Sequence, residues 1–153
     1  MKKLAWVLLI ICTGGAFSVQ SEKKILKTET GTLYVLVKGF KSNIGQLMVA
    51  LYNCASDFPE NEPYKGSISK ISRDVELIKF EKVPYGNYAI AVLHDIDNDG
   101  KLDKNVWGIP TEGYGFSNNV REKFGPPSFL KARFMFAGWD DEKIIGLEYG
   151  IPQ

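Results

Sequence analysis

Short runs of alternating apolar and polar residues begin at Thr32 and recur to the end of the chain. Leu33, Val35 and Val37 alternate up to Gly39, and Leu47, Val49 and Leu51 alternate within residues 45–53. A period of two sends successive side chains to opposite faces, as in a strand with one buried face. The connection between these two runs, KSNIG, has hairpin length and predicts that they pair. Residues 54–66 are a polar, turn-rich crossing with room for one helical turn. Further strands are predicted over 67–72, 75–80, 88–93, 129–136 and 143–149, with a Pro84–Tyr88 turn before the strongly apolar fifth. Seven short strands and no convincing amphipathic helix predict an all-β protein. The expected architecture is a single antiparallel β-sandwich over residues 31–150 with one long ordered loop.

The N-terminal pattern is of another kind. Lys2 and Lys3 precede an apolar run from Leu4 to Cys12, and Ala16 and Ser18 place small residues at a cleavage site. This order predicts a signal peptide over residues 1–18, followed by a polar lead-in over 19–30. An uncut anchor and a lipid-modified Cys12 are the alternatives; Ile11 stands where the second needs a small residue. The predicted location is exported, periplasmic or secreted. Removing residues 1–18 takes away two lysines and no acid, which turns a formal charge of +1 into −1. Only Cys54 then remains, so no intramolecular disulfide forms. No later segment approaches the ~18 apolar residues of a membrane span.

Composition excludes two classes. With 44% apolar and 12% aromatic residues the chain is too rich in core formers for low-complexity disorder. Nineteen Lys and Arg against eighteen Asp and Glu, with no basic run of five, argue against nucleic-acid binding.

The stretch from His94 to Pro127 breaks the strand rhythm. Its thirty-four residues hold five of the fifteen glycines and three of the seven prolines. Unstructured loops beyond about 12–15 residues are uncommon and usually functional or disordered. Trp107, Ile109, Tyr114, Phe116 and Phe124 predict a loop folded back and packed by its own side chains.

Within it, Asp95, Asp97, Asp99 and Asp103 take positions 1, 3, 5 and 9 of an EF-hand-type calcium loop. Gly100 takes the sharp-turn position, and Lys101 would offer its backbone carbonyl. Four carboxylates so close together repel unless a cation lies among them, and calcium takes six to eight oxygens. Val106 stands where a bidentate Glu is usual, so Glu112, the nearest remote acid, is the candidate to complete the shell. Affinity in the range of extracellular modules, ~10⁻⁴–10⁻³ M, is expected. The competing reading is a solvated Asp/Asn/Gly turn that caps its own backbone.

The remaining candidates each carry two readings. His94, the sole histidine, reads as a general base or as a residue orienting the loop through a hydrogen bond. A zinc site needs more nitrogen and sulfur ligands than the chain offers. Cys54 reads as a small residue at a strand end. Trp107, Tyr114 and Phe116 read as the small core of the long loop or as a stacking platform for a sugar or ring ligand. No nucleophile elbow or phosphate-binding glycine loop occurs, so no residue is assigned as catalytic.

The strand GQLMVALYN, the turn VPYGNYAIAV, then HDIDNDGKLDKNVWGIPTEGYGFSNN and FGPPSF follow one another in that order. Over residues 31–149 the chain resembles the bacterial domain of unknown function 2141, a family of short exported proteins. The resemblance implies that both halves of the long loop form one unit. Carried over by position, that unit holds His94, Asp95, Asp97, Asp99, Gly100, Asp103, Gly108, Pro110, Glu112, the Gly113-Tyr114-Gly115-Phe116 run, Ser117 and Asn118. The VPYGNYAI turn also resembles those of transthyretin-like and carboxypeptidase-regulatory-like sandwiches, which implies a Greek-key, prealbumin-like or immunoglobulin-like sandwich. The chain does not end in the Tyr-Arg-Gly-Ser tail of the related hydroxyisourate hydrolases. The family implies no activity. The reading is an exported binding or structural module with a calcium-type loop facing a ligand or envelope partner. The alternative is a periplasmic enzyme using His94 and Glu112 as an acid/base pair, which requires the two to converge in an open pocket.

Overall fold

The computed structural model describes residues 29–150. The expected signal peptide and most of the lead-in lie outside the described residues. Among the described residues nine strands form: β1 (Thr30–Lys38), β2 (Gln46–Tyr52), β3 (Lys65–Lys70), β4 (Val75–Pro84), β5 (Gly86–Asp95), β6 (Gly113–Phe116), β7 (Phe134–Phe136), β8 (Asp140–Gly146) and β9 (Glu148–Tyr149). One short helix, α1 (Phe129–Ala132), and a 3-10 turn at Ser117–Asn119 complete the elements.

Two sheets pack face to face. The smaller has the order β4-β1-β8, and the larger β3-β2-β5-β6-β9, with β7 on β5. The alternation read in the sequence defines the inner faces. Leu33, Val35, Val37, Phe80 and Ile145 of the small sheet meet Leu47, Val49, Leu51, Ile90 and Val92 of the large one, all buried in one cluster. Burying each such side chain contributes roughly 1.5–3 kcal/mol, so the facing rows hold the layers together. No helix among the described residues is long and apolar enough to cross a membrane.

Several local expectations are corrected. β1 and β2 do not form a hairpin: β1 pairs with β4 and β8, β2 with β3 and β5, and KSNIG crosses between the layers. Loop length permits a hairpin but does not select the sheet. The sandwich is not wholly antiparallel either, because β8 runs parallel to β1 from Thr32↔Asp140 to Lys38↔Gly146. The predicted strand over 129–136 opens as α1 and becomes β7 only at Phe134. Phe129-Leu130-Lys131-Ala132 has no β-branched residue, and α1 buries only Ala132. The last predicted strand is two, split at Leu147, where the chain changes sheet.

The topology brings one set of ends together. The β1–β2 connection, the end of β5 and β9 meet there: Gly45 abuts the Asp95 carbonyl, and Lys41 N donates to the Tyr149 hydroxyl.

Candidate metal centre and the long loop

Asp95 is the last residue of β5 and lies fully buried opposite Gln46 of β2. That register delivers the Gln46 amide, whose Nε2 donates to Asp95 Oδ2 at 2.7 Å. Beyond Asp95 the chain turns through left-handed Asn98 and Gly100, at φ 65° and 80°. The turn aims backbone amides back at the carboxylate: Asn98 N donates to Oδ1 at 2.8 Å and Gly100 N to Oδ2 at 3.0 Å. Asp97 accepts from Asp99 N, and Asp99 from Lys101 N. The loop thereby carries one oxygen each of Asp95, Asp97 and Asp99 to within 4.8 Å of one another.

The other expected ligands sit outside that trio. Asp103 and Lys101 are exposed, and Asp103 is not in the group. Glu112 is buried, and it spans the neck of the loop. Its Oε1 accepts from Ile96 N at 2.6 Å and its Oε2 from Asp103 N at 3.1 Å. Thr111 N donates to the Asp103 carbonyl alongside. Glu112 therefore ties the two arms of the acidic turn together. Asp95 and Glu112 are both buried carboxylates, and the four ion pairs among the described residues, Lys79–Glu81, Arg121–Glu148, Lys131–Glu122 and Lys143–Asp141, include neither.

Burial pushes the Asp95 carboxyl up. The Gln46 amide and the backbone N–H groups of Gly100, Asn98 and Asp99 outweigh that and hold it below its ordinary value of 3.8. A carboxyl held low in the folded state adds stability that is complete above the unfolded value. That stability is lost as pH falls through the folded value. In chelator, the urea midpoint of the wild type is expected to fall as pH drops below 3.8. Asp95→Asn should lack that component of the slope. Equal slopes in the two proteins would remove the assignment.

His94, one residue earlier, faces the opposite side of β5 and is also fully buried. Its Nε2 lies 2.9 Å from the Ile44 carbonyl, which only accepts, so the proton is on Nε2. Nδ1 lies 2.6 Å from the Tyr149 hydroxyl and accepts from it, and that oxygen in turn accepts from Lys41 N. The Phe40 ring covers the imidazole edge-on. Both ring nitrogens are thus engaged in joining β5 to the β1–β2 connection and to β9. Among the described hydrogen bonds, none joins His94 to Glu112; the two are held by different partners. Gln46 and Tyr149 were not picked out by the sequence reading. Gly113 makes room for Tyr149: a Cβ at Gly113 would lie 2.6 Å from the phenol carbon Cζ.

The aromatics of the long loop do not form a core of their own, contrary to expectation. Residues 104–110 are a backbone-bonded finger closed by the Asn105 side chain, which accepts from Trp107 N and Ile109 N. Its tip leaves Trp107 83% exposed, and Phe124 is 92% exposed. Tyr114 and Phe116 instead lie on β6, on the outer face of the large sheet, with ring centroids 6.0 Å apart. Phe116 packs edge-on against Phe58, from the 54–66 crossing.

The following residues act as rivets. Ser117 Oγ, fully buried, accepts from Ile90 N at 2.8 Å and donates to the Ala132 carbonyl at 2.6 Å. Asn118, left-handed at φ 62°, donates to the carbonyls of Lys131 and Arg133. Asn119, also absent from the sequence reading, mimics a strand along β8: its Nδ2 donates to the Ile144 carbonyl and its Oδ1 accepts from Gly146 N. The long loop is one structural unit, bonded at one end to β5 and at the other to α1 and β8.

A family model described as "uncharacterized protein conserved in bacteria", DUF2141, matches residues 35–144. No curated protein and no solved structure is significantly similar to the chain.

Proposed function

The chain belongs to this family of uncharacterized bacterial proteins, and on that footing we propose that it is an exported β-sandwich binding module whose acidic loop takes a calcium ion. The observation that carries the reading is the trio Asp95, Asp97 and Asp99, with oxygens within 4.8 Å of one another and, among the described residues, no basic side chain paired to them. A hard divalent cation meets the need of such a group, with water completing the oxygen shell around the trio; Lys101 and Asp103 stand outside it. Glu112 sets the width of the loop's neck, so the ion and the neck together determine how the finger beyond it is presented. Residues 1–18 provide the route out of the cytoplasm.

The test is thermal unfolding of the purified protein in chelator, calcium and magnesium. A ligand bound only by the folded state stabilises by about 1.4 kcal/mol at tenfold excess over Kd. For a domain of this size that shifts Tm by roughly 3–5 °C. Asp97→Ala and Asp99→Ala should abolish the shift. Magnesium should give less, because it keeps its waters and demands a smaller octahedral shell. Identical Tm values in excess chelator and in ~10 mM calcium would leave the loop as an acidic turn held by its own amides.

A further inference from the structure

The other end of the sandwich carries a second construction. There β1 begins between a bulge in β4 and the start of β8. The β1–β4 register passes from Gly31↔Val83 to Leu33↔Phe80, so Glu81 and Lys82 together face Thr32. Lys82 is left-handed, at φ 54°. A bulge re-aims side chains, and a non-glycine residue in this region is held there against a local cost. On the far side of β1, Thr32 is in register with Asp140. Thr32 N donates to the Trp139 carbonyl at 2.7 Å. Gly31 permits this approach, since a Cβ there would lie 2.2 Å from the Gly138 carbonyl oxygen. The result is an open cleft of about 330 Å³ lined by Thr30, Thr32, Glu81, Lys82, Trp139 and Asp140.

We propose that this cleft is a carbohydrate subsite. Its volume is at the lower end for small-molecule sites. Its lining residues are mostly polar: two threonines, two acids and one lysine, with a single aromatic residue, Trp139, which is 85% exposed. Among the described residues, the side chains of Thr30, Thr32, Lys82, Trp139 and Asp140 make no hydrogen bond to the chain. An apolar ligand would find one indole and no enclosing wall. A phosphate or nucleotide would meet a single lysine, Lys82, unpaired among the described residues, beside Asp140 and the Lys79-paired Glu81. A neutral sugar fits both halves of the lining, because its C–H face packs on an indole and its hydroxyls both donate and accept. The subsite is independent of the calcium reading and lies at the opposite end of β1.

The purified, isotope-labelled protein is titrated with maltose, cellobiose and chitobiose into the tens of millimolar, and followed by amide and indole NMR. At least one sugar should shift the Thr32, Lys82 and Asp140 amides and the Trp139 indole saturably. Trp139→Ala, at an exposed site and with the backbone bond to Thr32 retained, should weaken the apparent Kd about tenfold or more. Asp97→Ala should leave it unchanged. The proposal is overturned if none of the three sugars gives saturable shifts, if the shifts persist in Trp139→Ala, or if they map to Tyr114 and Phe116 instead.

Discussion

Replacing Gly45 by alanine is expected to destabilise the protein by about 2–5 kcal/mol, through two penalties that add at one position. Gly45 is left-handed at φ 82°. For an L-residue that conformation costs roughly 1–2 kcal/mol. The space is also filled: a Cβ would lie 2.0 Å from the Asp95 carbonyl oxygen and 2.6 Å from Ile96 Cα. Both are backbone atoms, so no side chain can swing aside. Relieving the overlap means separating the β1–β2 connection from the base of the acidic loop. Overpacking of that kind typically costs a further ~1–3 kcal/mol. The neighbours on either side would feel the shift, since the Ile44 carbonyl anchors His94 and Gln46 holds Asp95. Gly100 supplies the control. It is left-handed at φ 80°, but an added Cβ meets nothing within 4 Å among the described residues. Gly100→Ala should therefore carry only the backbone penalty, and urea unfolding should place Gly45→Ala well below it. Equal midpoints for the two variants would mean that the contact between Gly45 and Asp95 does not constrain the fold.

What the sequence disclosed and what it concealed divide along physical lines. The faces of β1 and β2 were legible because Leu33, Val35, Val37 and Leu47, Val49, Leu51 report burial locally, residue by residue. The Asp95, Asp97 and Asp99 grouping was legible for a similar reason, since three acids at alternate positions before a turning glycine stay close whatever surrounds them. Strand β6 was concealed because its inward positions are Gly113 and Gly115. Added Cβ atoms there would strike Tyr149 and Ile145, so the strand shows the core no apolar side chain. The period-two signal fails where the sheet needs space rather than bulk. The parallel β1–β8 pairing depends on contacts about one hundred residues apart, which no local pattern encodes. His94 was visible as a singular residue, but its role rests on Tyr149 and Ile44, and neither announces itself. Glu112 was identified as belonging with the acids. Its position at the amides of Ile96 and Asp103, rather than beside the other carboxylates, follows from how the loop closes.

Ser117→Ala is expected to cost roughly 2–6 kcal/mol, a large effect for the loss of one oxygen atom. The reason lies in how β5 is paired along one edge. β7 serves Gly86–Tyr88, and β6 serves Ala91 to His94. Between them the Ile90 amide points at no strand, and Ser117 Oγ stands in at 2.8 Å. The same hydroxyl donates to the Ala132 carbonyl, which ends α1 and leads into β7. Both bonds are buried, so water does not replace the hydroxyl, and alanine leaves one donor and one acceptor without partners. Each buried orphan of this kind costs ~1–3 kcal/mol. Packing changes little, because alanine differs from serine only by the oxygen, so the measured loss reports the two bonds rather than a cavity. Two readouts check it: the denaturant midpoint, and hydrogen exchange at the Ile90 amide, which should accelerate while the Leu33 and Val35 amides of β1 slow or quicken only with global stability. Asn118→Ala should lose much less, because its bonds to Lys131 and Arg133 are exposed and water takes them over. A Ser117→Ala midpoint within about 0.5 kcal/mol of wild type would show that the gap between β6 and β7 closes without the hydroxyl, and that the long loop is secured by Asn119 and β6 alone.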